Sequence, residues 1–301
     1  MEHVSFHDQI ARNTRSSIFL MFFVVAFAIL FGWIIGEIYD PSIAFLFVIV
    51  AGIMAVVQIA YSYNYGDKVV LSVTGARPAK ETDVKEKHLI NVVEGIAIAA
   101  GIPAPKVYVI ESEEMNAFAT GKDPKHASIA ITTAMLNKLS REELEGVIGH
   151  ELSHIRNYDI RFATFIAVAV GLIAILSYIF MRSMWFGGGN RGSSRDRGNA
   201  GIFIIIGLVL AIVAPIIVRL IQMAISRQRE YLADASSAQL TRYPAGLANA
   251  LEKIKGTNKG NMNVSEAVSH LFFVDPTKTY LDSLYATHPP IEKRISVLRA
   301  M

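Results

Sequence analysis

The sequence predicts an integral membrane α-helical protein with about four transmembrane helices and an α+β domain on the cytosolic side. Three observations carry that prediction. Four apolar runs, Ser17 to Gly36, Ser42 to Ser62, Phe162 to Met181 and Ala200 to Ile225, contain no charged residue except Arg219. The stretch between the second and third runs alternates helix-like and strand-like patterns. Basic residues gather in that stretch and in the C-terminal tail, whereas the turn between the first two runs is acidic, with Glu37 and Asp40.

At 1.5 Å per residue a helical run of about twenty residues reaches ~30 Å, the hydrocarbon thickness of a bilayer. The first run is longer than a secretory signal core and is not followed by a small-x-small cleavage site, so it reads as a retained span. The short turn Glu37 to Pro41 ties it to the second, making a hairpin over residues 1–62. Residues 63–161 form the first part of the soluble domain. There Thr82 to Ala100 reads as a helix closed by Gly101 and followed by Pro103, and Lys106 to Ile110 (KVYVI) and Ser128 to Thr132 (SIAIT) read as strands. Ser140 and Glu143 have capping-box spacing, so a helix begins at Arg141 and runs through His154, nearly continuous with the third span. Residues 162–226 form a second membrane hairpin, interrupted by a Gly, Ser and Arg rich loop at 186–199 that reads as flexible. Residues 227–301 are the second, helical part of the soluble domain.

The positive-inside rule puts both soluble parts in the cytosol. Arg182, Arg191, Arg195 and Arg197 of the loop oppose it: either the last two spans enter without fully crossing, or the longer basic segments override the loop. The second alternative is preferred. A net charge of +3, with Lys and Arg scattered rather than striped among aromatics, argues against a nucleic-acid partner and for a lipid bilayer. With no cysteine in the chain, any metal is held by His, Asp or Glu.

Such a set lies just before the third span, in GVIGHELSHIRNYD. Residues four apart share a helix face, so His150 and His154 can direct two imidazoles at one ion, with Glu151 beside them near a water on that ion. This is the H-E-x-x-H arrangement of zinc peptidases. The competing reading is a polar helix face near headgroups. A third ligand has to come from elsewhere as a carboxylate or His. Past the fourth span Glu230 and Asp234 are again four apart, so Glu230 can complete a zinc site and Asp234 can accept the other N–H of a ligand imidazole. Otherwise Arg227 or Arg229 pairs with these acids on the surface.

HELSH at His150 to His154, the E-x-x-x-D of Glu230 and Asp234, Asn116 to Ala119 (NAFA) and Thr287 to Pro290 (THPP) together resemble the HtpX-type membrane zinc metalloproteases, relatives of the CAAX prenyl endopeptidases. The resemblance covers nearly the whole chain. It implies a zincin-like protease domain with one zinc per chain, in the prokaryotic cytoplasmic membrane, acting on membrane proteins in quality control. Asn116, Ala117 and Phe118 then read as an edge strand that holds substrate as an added strand, where a plain hairpin is the alternative. The resemblance also places His288 and Arg294 near the zinc, to stabilise a developing oxyanion; by sequence alone a surface His before a proline-capped helix serves as well. A prenyl-peptide endopeptidase and a catalytically silent metal-binding scaffold remain as alternatives, and the oligomeric state stays open.

Overall fold

The computed structural model describes residues 6–169, 229–276 and 289–301, together with 178, 205, 207 and 208. Helix α1 (Phe6–Tyr39) and helix α2 (Ala44–Val73) form an antiparallel hairpin. Its turn is tighter than expected: α1 continues through Tyr39, and Asp40 accepts the backbone N–H of Ser42 at 2.9 Å to start a single 3₁₀ turn. Pro41–Val73 is long and apolar enough to cross a bilayer, and among the described residues nothing packs on its outer face, with Phe45 74% and Val57 61% exposed. Such a surface is unstable in water and at home in hydrocarbon.

The sequence places the end of the second span at Ser62, but the helix carries on to Val73 before Gly75 (φ 66°) turns the chain. Its last turn has left the apolar environment for a protein core, where Val70 and Leu71 are buried. One helix therefore serves both as membrane anchor and as part of the soluble domain.

That domain is built on a four-stranded sheet in the order β1 (Arg77–Pro78), β2 (Lys106–Ile110), β4 (Ala127–Thr132), β3 (Ala117–Gly121). β2 and β4 run parallel and the other pairs antiparallel. The period-2 alternation of side chains separates two cores. Ala117, Ala119, Ile129 and Ile131 pack with helix α3 (Val84–Ala100) and helix α5 (Arg141–Arg156), while Phe118, Ala130 and Ile110 pack with Val70, Leu71 and Phe272. α3 stops at Gly101 in the left-handed region, as its sequence predicts, and begins at Val84 rather than Thr82 because Asp83 caps it by accepting two N–H groups. The short α4 (Thr133–Lys138) links β4 to α5.

α5 is not continuous with the span that follows. Tyr158 has φ 59°, a left-handed conformation that costs a non-glycine residue about 1 kcal/mol, and the chain turns there before the helix α6 at 159–169. The rest of the third run, the 186–199 loop and the fourth run lie outside the described residues, apart from the four positions above. Helix α7 (229–241), helix α8 (Pro244–Thr257), the short α9 (Glu266–Ser269) and helix α10 (Ile291–Arg299) follow. Leu247, Leu251 and Leu298 of this second part share a core with Leu144, Val147 and Ile148 of the first.

Candidate active site

The helix that carries the site is built for close approach. Ser140 and Glu143 cap it reciprocally, the Ser140 N–H donating to Glu143 Oε2 at 2.7 Å and the Glu143 N–H to Ser140 Oγ at 3.3 Å. Along its buried side it offers Gly146 and Gly149, where larger residues would hold neighbours away. A Cβ at Gly146 would lie 2.6 Å from the Leu247 backbone nitrogen, and one at Gly149 would lie 2.9 Å from Ser237 Oγ. With no side chain at either glycine, α8 lies directly on α5 at Gly146 and α7 at Gly149, and Ser237 Oγ of α7 donates to the Gly146 carbonyl at 2.6 Å. Glu230, Asp234 and Ser237, spaced four and three apart, share the face of α7 that meets it. The contact brings together two motifs separated by some eighty residues of chain.

His150 Nε2 and His154 Nε2 are 3.1 Å apart, and each is 3.4 Å from a Glu230 carboxylate oxygen. A tetrahedral ion with ligand distances of about 2.0–2.1 Å holds its ligand atoms about 3.3 Å apart. These three donors fit. The other ring nitrogens are already committed: His150 Nδ1 meets Asp234 Oδ1 at 2.9 Å, and His154 Nδ1 meets Asp159 Oδ2 at 2.9 Å. If each Nδ1 donates to its carboxylate, both Nε2 lone pairs point at one place, which suits a cation. Zinc matches a nitrogen and carboxylate set of this size.

Burial pushes the His150 imidazole towards neutrality, but its contacts with Asp234 and Glu230 outweigh burial and hold its pKa above the ordinary value. The same contest at His154, with Asp159 and Glu230, ends well above it. Protons and zinc therefore compete for the same lone pairs, so zinc affinity falls as pH falls. Burial raises the Glu151 carboxyl; the nearby His150, His154 and Arg294 pull it back only in part.

His150, Glu151, His154 and Glu230 line a cavity of about 80 Å³, and Ala119 of β3 lines the same space. Among the described residues β3 pairs with β4 alone, and it is at the sheet edge as expected. Because Thr132 N–H donates to the Asn116 carbonyl, antiparallel alternation turns the groups of 116, 118 and 120 towards β4 and those of 117, 119 and 121 away from it. The Ala117 carbonyl accepts from Phe273 N–H at 2.8 Å, and the Gly121 N–H donates to Thr164 Oγ1 at 3.1 Å. Ala119, between them, faces the cavity.

The residues expected to meet substrate and oxyanion lie deeper than Ala119. Asn116, Ala117 and Phe118 are fully buried. The Asn116 amide clasps Val274, donating to its carbonyl at 2.8 Å and accepting its N–H at 3.1 Å, and the Phe118 ring packs edge-on against Phe272. The outward edge near the site is at Ala119, one residue beyond the expected trio. Arg294 is also buried and does not line the cavity. Its Nε and Nη2 grip the two oxygens of Asp234 at 2.9 and 2.7 Å, and its Nη1 lies 3.4 Å from Glu230 Oε2, so it stands beside the converging donors and holds two of the carboxylates around them. His288 lies outside the described residues. The partner of His154 is Asp159, five residues on and brought back by the turn at Tyr158, which no glycine or proline marks in the sequence.

The sequence profile of peptidase family M48 matches residues 83–301. The chain belongs to this family. Its relatives include protease HtpX homologs of Caldanaerobacter subterraneus subsp. tengcongensis, 50% identical over 80% of each chain, and of Dictyoglomus thermophilum, 43% identical over 100% of this chain and 96% of the relative. A third, from Streptococcus uberis, is 43% identical over 98% of this chain and 99% of the relative. Among solved structures, S. mikatae Ste24p is similar over 96% of this chain and 66% of that one, with 22% identity and a TM-score of 0.49. As an M48 peptidase with protease HtpX relatives over nearly its whole length, the protein is a membrane-bound zinc metallopeptidase that hydrolyses peptide bonds, and its Pro41–Val73 helix is long and apolar enough to cross a bilayer.

Proposed function

We propose that the protein is a multi-pass endopeptidase of the prokaryotic cytoplasmic membrane that cleaves damaged or misassembled membrane proteins on the cytosolic side. The reading rests on one observation: the Glu151 carboxylate, the three converging donors and the outward backbone of Ala119 share one cavity. His150, His154 and Glu230 hold the zinc, with Asp234 and Asp159 orienting the two imidazoles. Zinc there supplies a Lewis acid that lowers the pKa of water from about 16 towards about 7. Ala119 N–H and C=O hold an extended substrate segment as an added strand, which selects backbone rather than side chains. Glu151, its proton affinity raised by burial, takes a proton from the attacking water at its carboxylate and returns it to the leaving amine. The protease domain is assembled from residues 63–161 and 227–301, with the hairpin 162–226 between them. Two full crossings within that hairpin keep Glu230 on the side of the bilayer where His154 lies.

The chemical test is Glu151→Gln in the purified full chain, with an unmodified membrane protein as substrate. It keeps about one zinc per chain and loses turnover by about 10²–10⁴-fold; full activity would remove Glu151 as the base. Cleavage confined to a prenylated peptide would instead reassign the substrate class. Topology is read by single cysteines, because the chain has none of its own. Gly188→Cys reacts with an impermeant thiol reagent in intact cells, and Lys80→Cys only after lysis. Reaction of both only after lysis would replace the two crossings with a re-entrant hairpin.

A further inference from the structure

A second cavity, of about 240 Å³, lies away from the zinc site between the end of α2, the start of α6 and the β3–β4 turn. Its lining is strongly one-signed: Lys68, Lys106, Lys122, Lys125 and Arg161 face it, against the single carboxylate of Asp67. Among the described residues none of these five cations is ion-paired with a carboxylate. Lys122 Nζ instead lies 5.1 Å from the centre of the Tyr63 ring and Lys68 Nζ 5.1 Å from that of Tyr65, while Arg161 Nε donates to the Lys122 carbonyl at 2.7 Å. Ser62 lines the same cavity at 5% exposure, and its buried hydroxyl has no hydrogen-bond partner among the described residues. Bringing several like charges around a space and leaving a buried hydroxyl unsatisfied both cost free energy, which an anionic occupant would recover.

The position of the cavity indicates which anion. Ser62 closes the apolar run of α2, and the six helical steps from Ser62 to Lys68 rise about 9 Å, close to the depth of a headgroup layer. Tyr61, Tyr63 and Tyr65 project to the outside at the same level, where amphipathic rings mark a membrane–water boundary. The opposite wall, Arg161 to Phe165, is where the chain heads into its third apolar run. At about 30 Å³ per water the space holds about eight waters, ample for a phosphate with its ester oxygens.

We propose that this cavity binds the headgroup phosphate of an anionic phospholipid from the leaflet adjoining the soluble domain. The lysines and Arg161 surround its charge, Ser62 Oγ donates to one of its oxygens, and the acyl chains run down the uncovered face of α2. The proposal rests on α2 as a bilayer span. The test uses the full chain, purified in neutral detergent after exposure to mixed phosphatidylglycerol and phosphatidylcholine vesicles, with retained lipid measured by mass spectrometry. The wild type keeps phosphatidylglycerol selectively. Each of Lys68→Gln, Lys106→Gln and Lys125→Gln, all at exposed side chains whose loss leaves the fold intact, lowers that retention about fivefold, and the three together on the order of a hundredfold. Ser62→Ala, which changes no charge, lowers it as well, while zinc content stays constant in all five variants. Equal retention in the triple variant overturns the site, and displacement by millimolar inorganic phosphate at constant ionic strength assigns it to a soluble anion and overturns the lipid. Protein that stays dispersed without detergent would refute the span itself, a failure distinct from that of the site.

Discussion

The two histidines of the H-E-x-x-H motif stand four residues apart on one helix, yet their surroundings differ. His150 has 1% of its side chain exposed and leans on Asp234, also 1%, which is gripped by the equally buried Arg294. His154 is 16% exposed and leans on Asp159 at 10%, which Arg229 at 18% approaches only to 3.4 Å. The same chain of imidazole, carboxylate and guanidinium is thus built twice, once in the core and once at the cavity rim. Burial strengthens each contact and raises the cost of breaking it, because a charge left alone cannot turn to water. The inner chain therefore holds the fold and the metal together; the outer chain chiefly tunes.

Breaking the inner chain at its base has the largest effect. Arg294→Leu leaves Asp234 buried without its counter-charge, and stability falls by on the order of 3–5 kcal/mol with loss of bound zinc, measured by denaturant unfolding and metal analysis. The matching change at the rim, Arg229→Leu, stays within about 1 kcal/mol. A similar loss in both would show that the chains are not distinct.

Next in size is Asp234 itself. Asp234→Asn lowers zinc affinity about 10 to 100-fold in a chelator competition. The carboxyl also leaves a signature in pH. Although burial opposes it, the charge of Arg294, with the contacts to His150, holds the Asp234 pKa at about 2 against an ordinary 3.8. A folded pKa below the unfolded one contributes stability in full above pH 3.8 and loses it as pH falls towards 2. That acid-limb loss, on the order of 2 kcal/mol, is expected in the wild type and absent from Asp234→Asn. The smallest change is Asp159→Asn, about 10-fold or less in zinc affinity, since water at the rim can accept the His154 N–H in place of the lost oxygen. A larger effect than that of Asp234→Asn would reverse the order of the two chains.

How far the sequence could be read depends on the range of the physics. The KVYVI strand, the α3 helix with its Gly101 stop and the Ser140 capping box are local, and all appear where their patterns put them. Histidines four apart on a helix are also local, and E-x-x-x-D repeats that spacing at Glu230 and Asp234. The roles that the sequence leaves undecided have a different character. Whether Asn116 meets a substrate or clasps Val274, and whether Arg294 faces the cavity or lies behind the ligands, depends on segments some 158 and 60 residues away. No spacing in the sequence encodes that. The break at Tyr158 was illegible as well, because no glycine or proline marks it; a non-glycine residue takes that conformation only when tertiary contacts hold it.

By itself, then, the sequence determined which residues carry the chemistry, because helical periodicity puts His150, Glu151 and His154 on one face whatever surrounds them. It also determined that α2 seeks a bilayer, since an unbroken apolar run of that length has no comparable refuge in water. The tertiary structure alone decided which carboxylate serves which histidine. It decided too that, among the described residues, Ala119 rather than its neighbours presents an unpaired strand edge to the cavity, and that one histidine is clamped while the other stays near water. Those outcomes depend on the close approach of α7 to the glycines of α5 and on the turn at Tyr158, and such contacts between distant segments exist only once the chain has packed.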